Sequence, residues 1–217
     1  MILYWTPLSS YSASIRIACA LKGLTPELRL PPDGSYRSPA YRAIVPLGTV
    51  PALLDDGFVL SESAAILEYL DERFPQPSLL PGTARERARA RFLVRFHDLH
   101  LEPHVRALFG HLAPATRDTG IVAARTTEIA QKLVQLEDSL DGNGPHAAGV
   151  NPSIADCAFP ATLAIIDAML PVLGHAPVFG SRTRAWRKSL AANARIESVM
   201  EPYRAAITAW IAAKMKA

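Results

Sequence analysis

The chain has 217 residues, enough for one large domain or two small ones with a buried core. Hydrophobic residues make up 49% and charged residues 20%, which excludes an intrinsically disordered chain. A net charge of +3 lets an anionic small molecule approach but is too small to indicate a nucleic-acid partner.

The first strand signal is "ILYW" at 2–5. Residues 12–22 then read as a helix, with Ile15, Ala18, Cys19 and Leu21 on or near one face and Gly23 as its stop. A weaker strand signal, "ELRLP", follows at 27–31. Ser38-Pro39 begins a short helix, limited by Pro46. "VPALLDD" and "FVLS" flank Asp56-Gly57 and predict a β-hairpin. Ser61 is the expected cap of a helix running to about Phe74, where Pro75 and Pro77 end it. The order β-α-β-α-β-β-α describes a small mixed α/β layer.

"PQPSLLPG" at 75–82 reads as a linker. Beyond it the periodicity is helical throughout, over 84–112, 121–141, 153–170 and 183–214, with Pro103 ending or kinking the first stretch. In "NPSIADCAFP", Ser153 and Asp156 have the spacing of a capping box. Cys19 and Cys157 lie far apart in helical patterns and indicate free thiols in a reducing compartment. "MILYW" has neither the basic start nor the long apolar run of a signal peptide. The most apolar stretch, 158–174, is interrupted by Pro160, Asp167 and Pro171, so no membrane span and a cytoplasmic location are expected.

Three serines and a tyrosine in "LSSYSASIRIACALKG", at 8–23, stand at the front of the first helix. They either cap that helix or hold something negative at its positive end. Four motifs in order, Ser9-Ser10-Tyr11 with "IRIACALKG", "VPLGTVPALLDDG", "LSESAAILEYLDERFP" and "NPSIADCAFP", resemble the glutathione transferase superfamily, most of all its zeta class. The likeness is dense over about 2–80 and thins afterwards. It implies a thioredoxin-like domain over 1–78, an all-helical acceptor-substrate domain over 84–217, a homodimer, and glutathione as cosubstrate for a hydrophobic electrophile, with no metal.

By that resemblance Ser9 is the catalytic hydroxyl, with Tyr11 the second choice, since zeta enzymes carry cysteine there. A free thiol has a pKa near ~8.5, and lowering it by about two units takes roughly 2.7 kcal/mol of thiolate stabilisation. A donating hydroxyl and a helix N-terminus together supply energies of that order. Tyr4, inside the first strand, is assigned to packing. Ser10 and Tyr11 join the glutathione site. So do Thr49, Val50 and Pro51, the Val50-Pro51 bond being cis by resemblance and the Val50 backbone pairing with the ligand like an added strand. Glu62 and Ser63 open the third helix, where the γ-glutamyl ammonium and carboxylate would bind.

Several positions depart from the pattern. Val45 stands where relatives often have asparagine, and Gly48-Thr49 where zeta enzymes usually have lysine and glutamine. Zeta isomerases bind a dicarboxylate through an arginine in the helix after the capping box, and this chain has none before Arg182 and Arg184. Conjugation to electrophiles is therefore the leading expectation. The alternatives are isomerisation of the maleylacetoacetate type, favoured if Arg184 or Arg106 points into the pocket, and a non-catalytic glutathione-binding protein. His97, His100, His104 and His111 are spaced to share a helical face, as pocket lining or a solvated surface rather than a metal site. Arg87, Arg91 and Arg95 read as a solvated stripe, and Asp156 as a folding cap.

Overall fold

The structure is a computed structural model that describes residues 1–216. Four short strands, β1 (Ile2–Tyr4), β2 (Glu27–Arg29), β3 (Ala52–Asp55) and β4 (Phe58–Ser61), form one sheet in the order β2-β1-β3-β4. β1 and β2 are parallel, joined through the crossover helix α1 (Ser10–Lys22), whereas β3 runs antiparallel to both β1 and β4. The β3–β4 hairpin turns at Asp56 and Gly57, both at positive φ (47° and 86°), the backbone that a two-residue turn matched to strand twist needs. The short helix α2 (Pro39–Ile44) is capped by the Ser38 hydroxyl, which accepts from Tyr41 N–H at 3.1 Å. Helix α3 (Ser63–Arg73) completes the predicted βαβαββα order of a thioredoxin-like unit.

One boundary and one peptide bond in this half needed the tertiary structure. Ser61 belongs to β4, and the cap of α3 is Glu62, whose φ of 70° turns the chain out of the strand. Gln76–Pro77 is cis, as is the anticipated Val50–Pro51.

The remainder is helical: α4 (Ala84–Phe96), α5 (Glu102–Ala107), α6 (Thr119–Ser139), α7 (Ile154–Val172), α8 (Ser181–Ala191) and α9 (Ala194–Lys214). The stretch expected over 84–112 is interrupted by a π-helical turn, His97–Leu101, just before Pro103. A proline cannot supply the N–H that an α-helical turn requires, and a π-turn accommodates that loss. The stretch expected over 183–214 is two helices, because Asn193 leaves helical geometry and caps α9 through hydrogen bonds from Arg195 and Ile196 N–H. Helix α7 is apolar and long enough to span a membrane, but it is mostly buried inside the protein, against α1, α4 and α9.

One continuous apolar core runs through both halves, from Leu3, Ile15 and Leu53 to Phe159, Ile166 and Ile207. Tyr4 packs in a second, smaller cluster, edge-on to Tyr41 at 5.4 Å, as its strand position implied. The linker is tied down by a buried ion pair. Lys22 Nζ, with a wholly buried side chain, donates to Asp71 Oδ1 and to the Pro77 carbonyl, each at 2.7 Å. Asp71 also accepts from the Leu79 and Leu80 N–H groups and the Ser78 hydroxyl. Lys22→Met strands this carboxylate, and a loss of about 3 kcal/mol in urea unfolding is expected. A loss below 0.5 kcal/mol, on the order of an exposed pair, would refute the clamp.

Both cysteines are buried. Burial pushes the Cys19 thiol up to about 12, against a smaller opposing effect of Lys22, and pushes Cys157 well above the ordinary range. Neither is a thiolate at neutral pH, so neither is a nucleophile. A disulfide reagent at pH 8 is expected to leave the native protein unlabelled over minutes and to titrate both thiols in denaturant. Rapid labelling of the native chain would show that the α1–α7 packing opens.

Candidate active site

Ser9 is the N-cap of α1, with extended backbone (φ −81°, ψ 114°). Its Oγ accepts from Ser12 N–H at 3.1 Å, and its own N–H donates to the Thr6 carbonyl at 3.2 Å. Accepting uses an oxygen lone pair and leaves the hydroxyl proton available to donate outward. Capping and donation to a ligand are thus compatible at this residue. The first N–H groups of α1 also lack intrahelical acceptors, so this end carries a partial positive charge.

Ser10, the first residue of α1, faces the opposite way. It is wholly buried; its hydroxyl donates to Glu102 Oε1 at 2.6 Å and accepts from Arg106 Nη2 at 3.2 Å. Its side chain is therefore engaged by α5, and only its backbone N–H remains for a ligand. Tyr11 is half-buried, with its ring edge-on to His97 at 5.8 Å and the Arg106 guanidinium 4.9 Å above the ring centroid. Burial first, then the negative charges of Glu102 and Asp98, hold its phenol far above the usual tyrosine range, with Arg106 opposing. Tyr11 is thus a neutral hydrogen-bond donor, never a base, at physiological pH.

Behind these residues lies a polar chain that the sequence reading missed as a unit. Glu102, fully buried, accepts from Ser10 through Oε1 and from the Thr162 hydroxyl through Oε2 at 2.5 Å. Arg106 Nε lies 3.1 Å from Glu102 Oε1, one helical turn on. Thr162 meets His97 Nε2 at 2.7 Å, and His97 Nδ1 meets Asp98 Oδ1 at 2.8 Å. The only sequence signal was Glu102 and Arg106 at i, i+4 with a histidine upstream, which reads as an ordinary solvated helix face.

The third group of predicted residues lies on the loops after α2 and β4. Val50 is half-buried ahead of β3, and Thr49 is exposed, its carbonyl accepting from Tyr41 Oη at 2.8 Å. Val45 is wholly buried beside Tyr41, which accounts for an apolar residue there. Gly48 has φ 59°, and a Cβ on it would meet Arg42 Nε and the Tyr36 carbonyl at 2.9 Å. The Arg42 side chain thus fills the space a residue 48 side chain would take, placing a cation beside the Val50 loop that sequence spacing did not reveal. Glu62 is exposed and makes no capping hydrogen bond of its own; its φ of 70° costs on the order of 1–3 kcal/mol. Ser63 follows as the first, nearly buried residue of α3.

Other candidates do not converge here. The four histidines do not share a face, because the π-turn rotates the chain between them. His97 is buried, His100 exposed, His104 lies near Arg125, and His111 accepts from the Asp118 N–H. In the arginine stripe, Arg91 pairs with Glu68 and Arg87 donates to the Gly82 carbonyl. Arg184 donates to the Phe179 carbonyl, whereas Arg106 stands at Tyr11. A cavity of about 280 Å³ between α6 and the end of α7 and one of about 110 Å³ among α7, α8 and α9 include neither Ser9 nor Tyr11 in their linings.

Comparison with known proteins agrees with this architecture. Residues 3–78 match the family model described as the glutathione S-transferase N-terminal domain. The chain is 34% identical to a maleylacetoacetate isomerase of Pseudomonas aeruginosa over 193 residues, 86% of each chain. It is likewise 34% identical to glutathione S-transferase Z2 of Arabidopsis thaliana, over 70% of each. Among solved structures, a maleylacetoacetate isomerase of Methylobacterium extorquens AM1 with bound malonate and glutathione superposes with a TM-score of 0.76 at 27% identity, covering 94% of this chain and 97% of the other. With the thioredoxin-like sheet, the helical second half and these relatives together, the chain belongs to the glutathione transferase superfamily.

Proposed function

We propose that the protein is a glutathione S-transferase that conjugates the glutathione thiolate to small hydrophobic electrophiles. The observation that carries this reading is Ser9. A hydroxyl with its proton unspent sits at the positive end of α1, while both protein thiols are buried and un-ionised. Bound glutathione supplies the nucleophilic sulfur that the chain itself lacks there. Ser9 would donate to that sulfur, and Tyr11 would be a second neutral donor beside it. The Val50 backbone, next to Thr49 and Pro51, would align the cysteinyl segment, and Arg42 would attract the glycine carboxylate. Glu62 and the first turn of α3 at Ser63 would hold the γ-glutamyl ammonium and carboxylate. In this reading residues 1–78 bind glutathione and 84–217 shape the acceptor site, in a cytoplasmic homodimer with a detoxifying role.

One observation favours a second reading, glutathione-dependent cis–trans isomerisation of a dicarboxylate. Arg106 lies over the Tyr11 ring and reaches Ser10, so a cation capable of holding a carboxylate would stand near a thiol bound at the start of α1. A structural relative binds malonate together with glutathione.

Calorimetric titration with glutathione, followed by turnover on activated aryl halides and on a cis-configured unsaturated dicarboxylate, tests both. Micromolar-to-millimolar binding with aryl-halide conjugation supports transfer. Isomerisation without conjugation supports the second reading. Absence of glutathione binding refutes both.

A further inference from the structure

We propose that the Glu102–Arg106 pair sets the ionisation of the sulfur bound at Ser9, with Arg106 as the favourable cation and Glu102 as the positioning residue that aims it. The inference rests on the glutathione reading above. Its basis is geometric. Among the described residues, Arg106 is the guanidinium that hydrogen-bonds the first residue of α1, through Ser10 Oγ at 3.2 Å. Its Cζ also stacks over Tyr11, two residues on from Ser9, at 4.9 Å and lies near Phe109 at 5.9 Å. Two aromatic faces and one carboxylate leave it few alternative orientations, although 42% of its side chain remains exposed.

Glu102 has no solvent access; the Ser10 hydroxyl, Arg106 Nε and the Thr162 hydroxyl reach its two oxygens, and His97 Nε2 lies 3.9 Å from Oε2. A buried carboxylate is costly to keep, and replacing it by apolar packing would often be neutral or stabilising. It joins α5 at once to the N-terminus of α1 and to α7. A fold-stabilising role alone would not require it to share one oxygen between the α1 serine and the arginine that stacks over Tyr11.

The ionisable groups around this point come from each packed element; α6, packed on α5, brings Arg125, which is engaged with His104, and Glu128 beside the same histidine. The π-turn brings His97 and Asp98, α5 brings Glu102 and Arg106, and α1 brings Tyr11. Helix α9 brings Tyr203, whose hydroxyl is buried without a hydrogen-bond partner. Helix α7 contributes Thr162, which does not titrate, while its Asp156 and Asp167 are engaged elsewhere by Trp186 and Arg187. On α3, Glu62 is exposed at the first turn, and Glu68 and Asp71 are paired with Arg91 and Lys22. The Tyr11 phenol already registers the opposed charges: Glu102 and Asp98 disfavour its anion and Arg106 favours it. Tyr203 registers the same two opposed effects from Glu102 and Arg106, beneath the larger effect of burial. A sulfur anion at the same helix end would respond with the same signs.

The test is the ultraviolet thiolate band of bound glutathione followed against pH, with binding checked by calorimetry. Arg106→Gln removes the cation, and the thiol midpoint is expected to rise by about one pH unit, roughly tenfold less thiolate below the midpoint. Glu102→Gln keeps an oxygen for Arg106 and Ser10 but removes the negative charge, and the midpoint is expected to fall by a similar amount. Arg106→Lys, which keeps the charge, should recover most of the wild-type value. The double variant should titrate near wild type, and the acid limb of kcat/KM should move in parallel. If Glu102→Gln does not fold, the partly exposed Arg106 decides the matter alone: glutathione bound without an upward shift in Arg106→Gln overturns the proposal. Shifts of the same sign in both single variants overturn it too, leaving the glutathione reading intact. Failure of wild type to bind glutathione overturns both together.

Discussion

Ser9→Ala is expected to lower kcat/KM for conjugation by about 10–100-fold and to return the bound thiol towards the ordinary cysteine value near ~8.5. The magnitude follows from one charge-assisted hydrogen bond, worth about 1.5–3 kcal/mol, taken from an anion at a helix N-terminus. Ser9 also caps α1 through Ser12 N–H, so the same change should cost about 1 kcal/mol of stability. The two roles separate in Ser9→Gly. Glycine is tolerated at an N-cap with a loss of only a few tenths of a kcal/mol, yet it has no hydroxyl. Equal loss of turnover in the alanine and glycine variants, with stability largely kept in the second, identifies the hydroxyl as the chemical group. If Ser9→Ala binds glutathione and keeps more than a third of its turnover, Ser9 is a cap alone. Tyr11→Phe is then the variant that should lose activity.

Asp156→Ala is expected to be the most destabilising single change in the helical half, by about 4 kcal/mol, out of a total stability of roughly 5–15 kcal/mol. The carboxylate is fully buried and serves four donors. Oδ2 accepts from the Ser153 N–H and hydroxyl, each at 2.8 Å, which secures the start of α7. Oδ1 accepts from Trp186 Nε1 at 2.7 Å and from Ala147 N–H at 3.0 Å, which ties α8 and the loop before α7 to the same point. Each buried donor left unmatched costs on the order of 1–3 kcal/mol. Asparagine keeps one acceptor but turns an NH₂ group towards donors, so Asp156→Asn should lose more than half as much. Urea unfolding measures both. A midpoint for Asp156→Ala within 1 kcal/mol of wild type would mean that water replaces the carboxylate. Glutathione affinity per folded molecule should stay unchanged, since Asp156 touches none of the candidate site residues.

The legible part of this protein was local. Gly23, Asp56-Gly57, Pro75 and the Ser153–Asp156 spacing act within a few residues of themselves, and each marked a real boundary. The βαβαββα order and the helical second half followed from those boundaries and from the change of hydrophobic period near residue 80, whereas the thioredoxin-like class and the choice of Ser9 came from the resemblance of the motifs. Where the reading slipped, one residue's backbone was decided by its surroundings. Glu62 takes a left-handed conformation that no propensity favours, and Asn193 breaks a helical pattern that looked continuous.

Composition and order of residues were enough to determine a small mixed α/β layer, a helical second half and a hydroxyl at the end of α1; that the layer is thioredoxin-like was implied by the family resemblance of the motifs. Tertiary structure alone decided which hydroxyl faces outward and which inward. Ser9 and Ser10 are adjacent and chemically identical, but a helix start sends their side chains in different directions, and only packing against α5 gives Ser10 to Glu102. Packing likewise decided that Arg106 stands over Tyr11 while Arg184 turns to a backbone carbonyl. The separations involved, 92 residues between Ser10 and Glu102 and 60 between Glu102 and Thr162, lie beyond any periodicity. Charges that meet across such distances are set by how helices dock, and the chemistry proposed at Ser9 would depend on that docking.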